Sequence, residues 1–450
     1  MSFKLTEFEQ SCVPRAGDLR QRVLVLAPQA PPCESYLVSG KTRPPVQSQS
    51  GGDIMPIQAA ERTHHIKYAV RDIILIADEA RRRGRDLLYL NIGDPNPYHF
   101  RTPPHILEAT IKAMRDNLNG YSPSSGIPEA VAAIRRDAEA RGLRAVRDVF
   151  IGTGASECIE IALSALVNRG DNVLLPFPGY PLYTALCSKL ECEGRPYFLD
   201  ESRGWEPDLA DLEARLDANT RAIVLINPNN PTGGTWSRET LLHIIELCRR
   251  HQLVLFSDEI YDRLIYNGEE HVPTASLAED ICILTFNGLS KNWVAPGFRI
   301  GWCLVSGPDA VLGDYLDAML KLTRARLCAN HPEQHAIRVA LEGDQSHLRE
   351  MNSVLKRRAE LADRMLNQVE GISLVAPGGA FYAYPSLEVR DDEDFVRQLI
   401  LDTGVVVVPG SGFGQRPGTA HFRFVTLPDD DILSRAFERV ADFMHEWRKR

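Results

Sequence analysis

From about Lys67 onward, short apolar runs alternate with stretches in which apolar residues recur every three or four positions. The runs are Val149–Ile151, Asn172–Leu175, Ala222–Ile226, Leu253–Phe256, Ile281–Thr285 and Ile300–Leu304. Continuous apolar runs of this kind predict strands buried on both faces. Between them, Ser156–Asn168 and Arg238–His251 carry the helical period. Strand and helix in alternation predict an α/β domain, a mostly parallel sheet flanked by helices. After about Leu341 the pattern changes. A long amphipathic helix (Ser346–Gln368) is followed by a strand near Phe381–Tyr384, a strand at Val405–Val408 and a closing helix (Asp430–Trp447). This predicts a smaller α+β domain. A chain of 450 residues is too long for one ordinary core. The expected division is an arm over 61–102 that joins the small domain in part, a large domain over 103–330 and a small C-terminal domain over 331–450. No internal repeat is present.

Residues 1–60 break the pattern. They are rich in Pro, Gln, Ser and Gly, as in APQAPP and PPVQSQSGGD, and hold no lasting period. A disordered extension is expected there. Met55, just before the patterned chain, then stands as a candidate initiator, with the first 54 residues an upstream translation product.

Composition narrows the function classes. Apolar residues make up 44% and charged residues 25% of the chain, as in soluble globular proteins. The net charge of -9 makes neither nucleic acid nor an anionic membrane the expected partner. The basic cluster Arg81-Arg82-Arg83-Gly84-Arg85 ends a helical pattern (Val70–Arg82), where cations suit the helix dipole and Gly84 suits the C′ position. No apolar run approaches the ~20 residues of a membrane span. Val23–Leu26 is too short for a signal-peptide core. Nine cysteines without a CxxC pair argue for buried thiols in a reducing cytoplasm. No HExxH or clustered His/Cys ligand set occurs, so no metal is expected.

Ligands of open α/β sheets bind beyond the carboxyl ends of the strands. Here Ala222–Ile226 runs into Asn227-Pro228-Asn229-Asn230-Pro231-Thr232-Gly233. Leu253–Phe256 runs into Ser257-Asp258-Glu259-Ile260-Tyr261, and Ile281–Thr285 into Asn287-Gly288-Leu289-Ser290-Lys291. An amide, a carboxylate, a phenol and a lysine are thus expected around one crevice. Gly152-Thr153-Gly154-Ala155-Ser156 follows the strand Val149–Ile151 and opens a helix. Free N–H groups at a helix start, with a hydroxyl, make an anion site, and Arg299 adds a forked cation that suits phosphate. Phosphate site, aspartate and lysine together suit pyridoxal 5′-phosphate. The lysine bonds its aldehyde, and the aspartate pairs with its ring nitrogen and keeps the ring an electron sink. Taken singly, each residue reads as a surface charge or a cap. Their joint order along the chain favours the cofactor.

With these residues the sequence resembles the class I/II aminotransferases, pyridoxal-phosphate enzymes of fold type I. The resemblance runs from about Lys67 to the C-terminus. It rests on Gly93-Asp94-Pro95, Tyr121 through Gly126, Gly154-Ala155-Ser156, Pro176-Phe177-Pro178-Gly179-Tyr180, Asn230-Pro231-Thr232-Gly233, Asp258-Glu259-Ile260-Tyr261, Ser290-Lys291 with Arg299, and Arg423. It implies that Lys291 is the Schiff-base lysine and the base that moves the Cα proton. By the same likeness Asp258 is the pyridinium partner, Asn230 and Tyr261 bond the ring oxygen, and Tyr180 stacks on the ring. Gly154, Ala155, Ser156, Ser290 and Arg299 form the phosphate cup. Tyr121 reaches the phosphate of a neighbouring subunit, which implies a homodimer with shared sites. Arg423 clamps the substrate α-carboxylate, and Gly93 lets backbone approach the same substrate. Many relatives carry a hydroxyl residue three positions before the lysine, where this chain has Gly288.

Within the class, FNGLSK, the SDEIYD segment and Leu327-Cys328-Ala329-Asn330 with Gln334-His335-Ala336-Ile337 look most like the bacterial alanine (glutamate–pyruvate) aminotransferases. Alanine or glutamate with pyruvate or 2-oxoglutarate is the implied substrate set. These relatives also carry Tyr-x-x-Arg near the N-terminus, here Tyr68 and Arg71, which makes Arg71 a candidate for a distal carboxylate. Ping-pong transamination is the expected activity. A C–S β-lyase would use the same carbanion. A ligand-sensing regulator on the same fold would need a DNA-binding helix pair ahead of it, and residues 1–60 show none.

Overall fold

Alternation of faces along the apolar runs builds the centre of the molecule. In the strand Thr220–Ile226, Ile223 and Leu225 enter one core while Ala222, Val224 and Ile226 enter another. Val254–Asp258 and Ile283–Gly288 divide in the same way, Leu255 and Ile283 on one side, Phe256, Leu284 and Phe286 on the other. A strand apolar on both sides must be covered on both. In the computed structural model, which describes residues 57–66 and 69–449, this produces one eight-stranded sheet. Met55, Tyr68 and the first 56 residues of the expected extension lie outside the described residues.

Across the sheet the strands run Val146–Thr153, Ile300–Ser306, Ile283–Gly288, Val254–Asp258, Thr220–Ile226, Asn172–Phe177, Glu193–Asp200 and Glu206–Pro207. The five from Ile283–Gly288 to Glu193–Asp200 are parallel. Ile300–Ser306 is antiparallel to both its neighbours, and Glu206–Pro207 is antiparallel at the far edge. The helix Arg238–His251 starts where Ser237 accepts from Thr240 N and stops at Gln252, which turns left-handed. Capping of this kind fixes both ends of a crossover.

A second core gathers residues from both ends of the described chain. Ile73 and Leu90 pack with Phe395, Val405, Phe424 and Phe437. Leu88–Tyr89 pairs in parallel with Val405–Val406. The single strand expected at Val405–Val408 is instead two. Val405–Val406 belongs to that pair, whereas Val408–Pro409 pairs with Phe422–Val425 in a separate three-stranded sheet with Tyr382–Ala383. Pro409 has no N–H to extend the ladder. The strand Glu193–Asp200 was not visible as an apolar run, because only Tyr197 and Leu199 enter the core from this outer position.

Three glycines bring backbones together beneath the future site. Gly301 stands opposite both Gly152 and Gly288. A Cβ on Gly301 would lie 2.1 Å from Ala155 N, and one on Gly288 would lie 2.7 Å from Ile300 O. Gly301→Ala is therefore expected to destabilise the protein by about 1–3 kcal/mol through overpacking against backbone. Chemical denaturation should show a lower midpoint, and an unchanged midpoint would contradict this packing.

Candidate active site

The carboxyl ends of the parallel strands face a cavity of about 260 Å³. From Asn172–Phe177 the chain moves outward to Glu193–Asp200, then returns on the other side as Thr220–Ile226. Connections that diverge from neighbouring strands leave a crevice between them. Asp258 reaches it from the last position of its strand, and Tyr180, Asn230, Tyr261, Ser290 and Lys291 from the loops beyond the parallel strands. Ala155, Ser156 and Arg299 close one end of it, and Gly93 and Arg423 the other.

Lys291 Nζ donates to Gly93 O at 2.8 Å. Burial, joined by the Arg299 and Arg423 charges, pushes its pKa down to about 8 against the opposing pull of Asp94 and Asp258. Asp258 is buried at its strand's end, and burial raises its pKa to about 6. Hydrogen bonds from Ile260 N at 3.4 Å and Tyr183 Oη at 3.2 Å offset that rise in part. Tyr183 escaped the sequence reading. Its signal is its place one helical turn beyond Tyr180, at the start of the helix Leu182–Leu190.

The anion end is built from close approach. Gly154 caps the helix Ala155–Leu166 at φ 78°, with no side-chain cap on the first N–H groups. A Cβ there would lie 2.6 Å from Arg299 Nη2. Arg299 Nη2 in turn lies 3.3 Å from Ser156 Oγ. Gly154 itself is thus the hinge of this end rather than part of the cavity wall. Gly288 does not line the cavity either, because its backbone is packed against Ile300 and Gly301.

At the opposite end Arg423 is buried in the strand Phe422–Val425. It donates to Asn91 O and, at 3.3 Å, to Asn230 Oδ1. Its guanidinium lies between two aromatic faces, 4.7 Å from the Tyr382 ring centre and 4.6 Å from that of Phe413. The sequence reading missed both rings. Gly93 is pinned by Tyr382 as well: a Cβ there would lie 2.1 Å from Tyr382 Oη. Tyr121 is 83% exposed and does not line the cavity. Arg71 lies in the helix Ala69–Arg82, and its side chain is outside the described residues.

Behind the cavity, Glu259 and Asp262 are both buried, and Arg141 compensates them. Its guanidinium lies 2.7 Å from Asp262 and 3.7 Å from Glu259, and 3.2 Å from His271 Nδ1. Asp262 also accepts from Asn292 Nδ2 at 2.6 Å, which anchors the residue after Lys291. Glu259, Asp262 and His271 have ligand atoms within 4.8 Å of one another, but Arg141 already supplies the positive charge there.

This donor set fits pyridoxal 5′-phosphate. A buried carboxylate with a raised pKa favours a cationic ring nitrogen beside it. A lysine with a lowered pKa favours bonding to an aldehyde. A helix start with an arginine favours a phosphate.

Comparison with known proteins agrees. The model of the family "Aminotransferase class I and II" matches residues 85–440. The chain is 40% identical over 402 residues to glutamate-pyruvate aminotransferase AlaA of Escherichia coli (strain K12), covering 86% of this chain and 98% of that protein. It is 42% identical over 376 residues to alanine aminotransferase of Mycobacterium tuberculosis (strain H37Rv), covering 81% and 87%. The structure of alanine aminotransferase from Pyrococcus furiosus superposes with a TM-score of 0.84 at 36% identity, over 86% of this chain and all of that one (100%). With that match spanning both the large sheet and the C-terminal sheets, the chain belongs to the class I and II aminotransferases, and pyridoxal 5′-phosphate is its cofactor.

Proposed function

We propose that this aminotransferase exchanges amino groups between alanine or glutamate and pyruvate or 2-oxoglutarate, in ping-pong order. The names of the relatives in Escherichia coli and Mycobacterium tuberculosis support that substrate set. The observation that carries the chemistry is the meeting of the Lys291 amine, the Asp258 carboxylate and the Arg423 guanidinium on one cavity.

When bound, pyridoxal 5′-phosphate supplies an aldehyde that takes up amino groups and a ring that accepts electrons from the substrate Cα. Lys291 would hold the aldehyde carbon, and its amine would serve as the base for the proton on the substrate Cα. Asp258 holds the proton on the ring nitrogen. Asn230 and Tyr261 bond the ring oxygen, and Tyr180 covers a ring face. Ala155, Ser156, Ser290 and Arg299 hold the phosphate, with Gly154 allowing Arg299 to come close. Arg423 receives the substrate carboxylate, its planar fork held by the flanking rings. Gly93 brings backbone to the substrate, and Arg71 is the candidate for a second carboxylate.

The core around Ile73, Phe395, Phe424 and Phe437 supports a small C-terminal domain joined by the arm, apart from the large domain, but Ala336, Ile337, Ala340 and Leu341 pack in the large sheet's core, which puts the helix His331–Glu342 with the large domain rather than at the start of the small one at 331. A homodimer is supported by Leu107, Ile111 and Met114, exposed on one face of the helix Pro104–Arg115, and by exposed Tyr121. We place the enzyme in the cytoplasm. All seven described cysteines are free, and among the described residues no helix is long and apolar enough to cross a membrane.

Alanine and glutamate should each bleach the visible absorbance of the bound cofactor, and pyruvate and 2-oxoglutarate should restore it. Lys291→Ala should keep the cofactor non-covalently and lose turnover by on the order of 10⁴-fold. Pyruvate and ammonia released from cystathionine without a 2-oxo acid would instead identify a lyase. Sedimentation should give a dimer, and Tyr121→Phe should weaken cofactor retention, whereas a monomer with full activity would remove the shared site. The reactive form of Lys291 is the neutral amine, and a pKa of about 8 makes it half neutral near that pH rather than above pH 10. Cofactor uptake by the apoenzyme, followed by stopped-flow absorbance, should rise with pH and level off above about pH 9.

A further inference from the structure

Beyond flanking Arg423 and crowding Gly93, the Tyr382 hydroxyl has been given no role, yet the side chain touches three of the residues that have one. It lies in the strand Tyr382–Ala383, antiparallel to Phe422–Val425, with Tyr382 opposite Val425. Arg423 is two residues from Val425 on the same strand and therefore shares the face of Tyr382 as its diagonal neighbour. The register itself sets the guanidinium over the ring, 4.7 Å from its centre. At the other end of the side chain, Tyr382 Oη is 3.0 Å from Tyr261 Oη, and the two rings meet edge to face. The same oxygen occupies the space that a side chain at residue 93 would need, and Gly93 O accepts from Lys291. Tyr382 is buried, and it lines the cavity.

The strand holding Tyr382 is fixed to the loop holding Asn230. Gly378 N and Gly379 N both donate to Gly233 O at 2.9 Å. A Cβ on Gly233 would lie 2.7 Å from Tyr382 O. Tyr382 is thus placed by backbone contacts from both the large sheet and the C-terminal sheet.

We propose that Tyr382 is a positioning residue that joins the two halves of the site, its hydroxyl orienting Tyr261 toward the cofactor ring oxygen and its ring face holding Arg423 for the substrate carboxylate. This rests on the roles proposed above for Tyr261 and Arg423. Tyr261 has one hydroxyl proton. When that proton is directed to the ring oxygen, the Tyr261 oxygen is left to accept from Tyr382. A hydroxyl that accepts one hydrogen bond becomes a stronger donor in the next. Removing the Tyr382 hydroxyl then weakens the bond to the ring oxygen, leaves its negative charge less stabilised and raises its affinity for a proton. Asp258 and Tyr180 act on Tyr261 and Arg423 lies over the Tyr382 ring, while Asp94, Asp258, Arg299 and Arg423 surround Lys291, and all of these groups are the same in every variant considered.

The experiment is a pH titration of the visible absorbance of the cofactor-loaded enzyme, with steady-state kinetics on the same preparations. Tyr382→Phe should move the spectral midpoint up by about 0.5–1 pH unit, the scale of one hydrogen bond. It keeps the ring, so KM for the amino donor should stay within about twofold of wild type. Tyr382→Leu should move the midpoint similarly and also raise KM about 2–30-fold, the range of a partly desolvated cation–π contact. Tyr261→Phe should move the midpoint up as well, and adding Tyr382→Phe to it should produce no further shift. A Tyr382→Phe midpoint equal to wild type, or fully additive shifts in the double variant, would overturn the proposal. If the wild-type protein shows no cofactor absorbance to titrate, the underlying active-site reading fails instead, so the two failures are distinct.

Discussion

Burying a carboxylate is expensive unless positive charge compensates it, and the arrangement of this site follows from how Asp258 is buried. Its strand is covered on both faces, so its carboxylate ends in a crevice with little access to water. Two hydrogen bonds, from Ile260 N and Tyr183, leave its pKa well above the ordinary value. Such a group is incomplete without a cation over it. In the role proposed for Asp258, the protonated nitrogen of the cofactor ring would supply that cation, and affinity for the ring and its electron-accepting character would come from the same charge. Nearby Glu259 and Asp262 would worsen the excess of negative charge. Arg141 removes that burden, paired to both from the side away from the cavity.

Close backbone approach sets the anion end of the cavity. An arginine near a helix start repels the helix dipole, so it must be held there by geometry. Gly154 permits the contact with Arg299, and Gly301 permits the strand beneath to run against Ala155. Gly288 belongs to the same packing. Its lack of a hydroxyl is a condition of the fold, since Ile300 O fills the space where a side chain would begin. Charge at Asp258 and space at the glycines together define a slot with a cationic end and an acidic floor.

Most of this was legible in the sequence for a specific reason. Lys291, Asp258 and Asn230 follow apolar runs, and the rule placing ligands at strand ends converts that position into convergence. The closing helix Asp430–Trp447 and the helix Arg238–His251 have the bounds their apolar period indicated. Tyr382 and Phe413 were not legible. A strand was expected near Phe381–Tyr384, but it is only two residues long, and Phe413 sits in a single 3-10 turn, so nothing in the pattern marked either ring as facing Arg423. The Tyr382 contact with Arg423 depends on strand register between segments about forty residues apart, and the Phe413 contact on how the turn about ten residues earlier folds back, neither of which one sequence displays. The divided strand at Val405–Val408 has a similar origin, because partners in two different sheets decide where the run breaks.

The two sheets carry different parts of the chemistry. Lys291, Asp258 and the anion end belong to the large sheet, and Arg423 belongs to the C-terminal one. Transamination needs the substrate Cα fixed relative to Lys291 and to the ring plane, so an error in the relation of these sheets acts directly on the proton transfer. Hydrogen bonds from Gly378 and Gly379 to Gly233, and from Arg423 to Asn230, tie that relation at backbone and side chain alike. On the roles proposed above, a carboxylate arriving at Arg423 would therefore meet a group already held by residues that also face the ring. Substrate binding and ring orientation would then be set by one set of contacts.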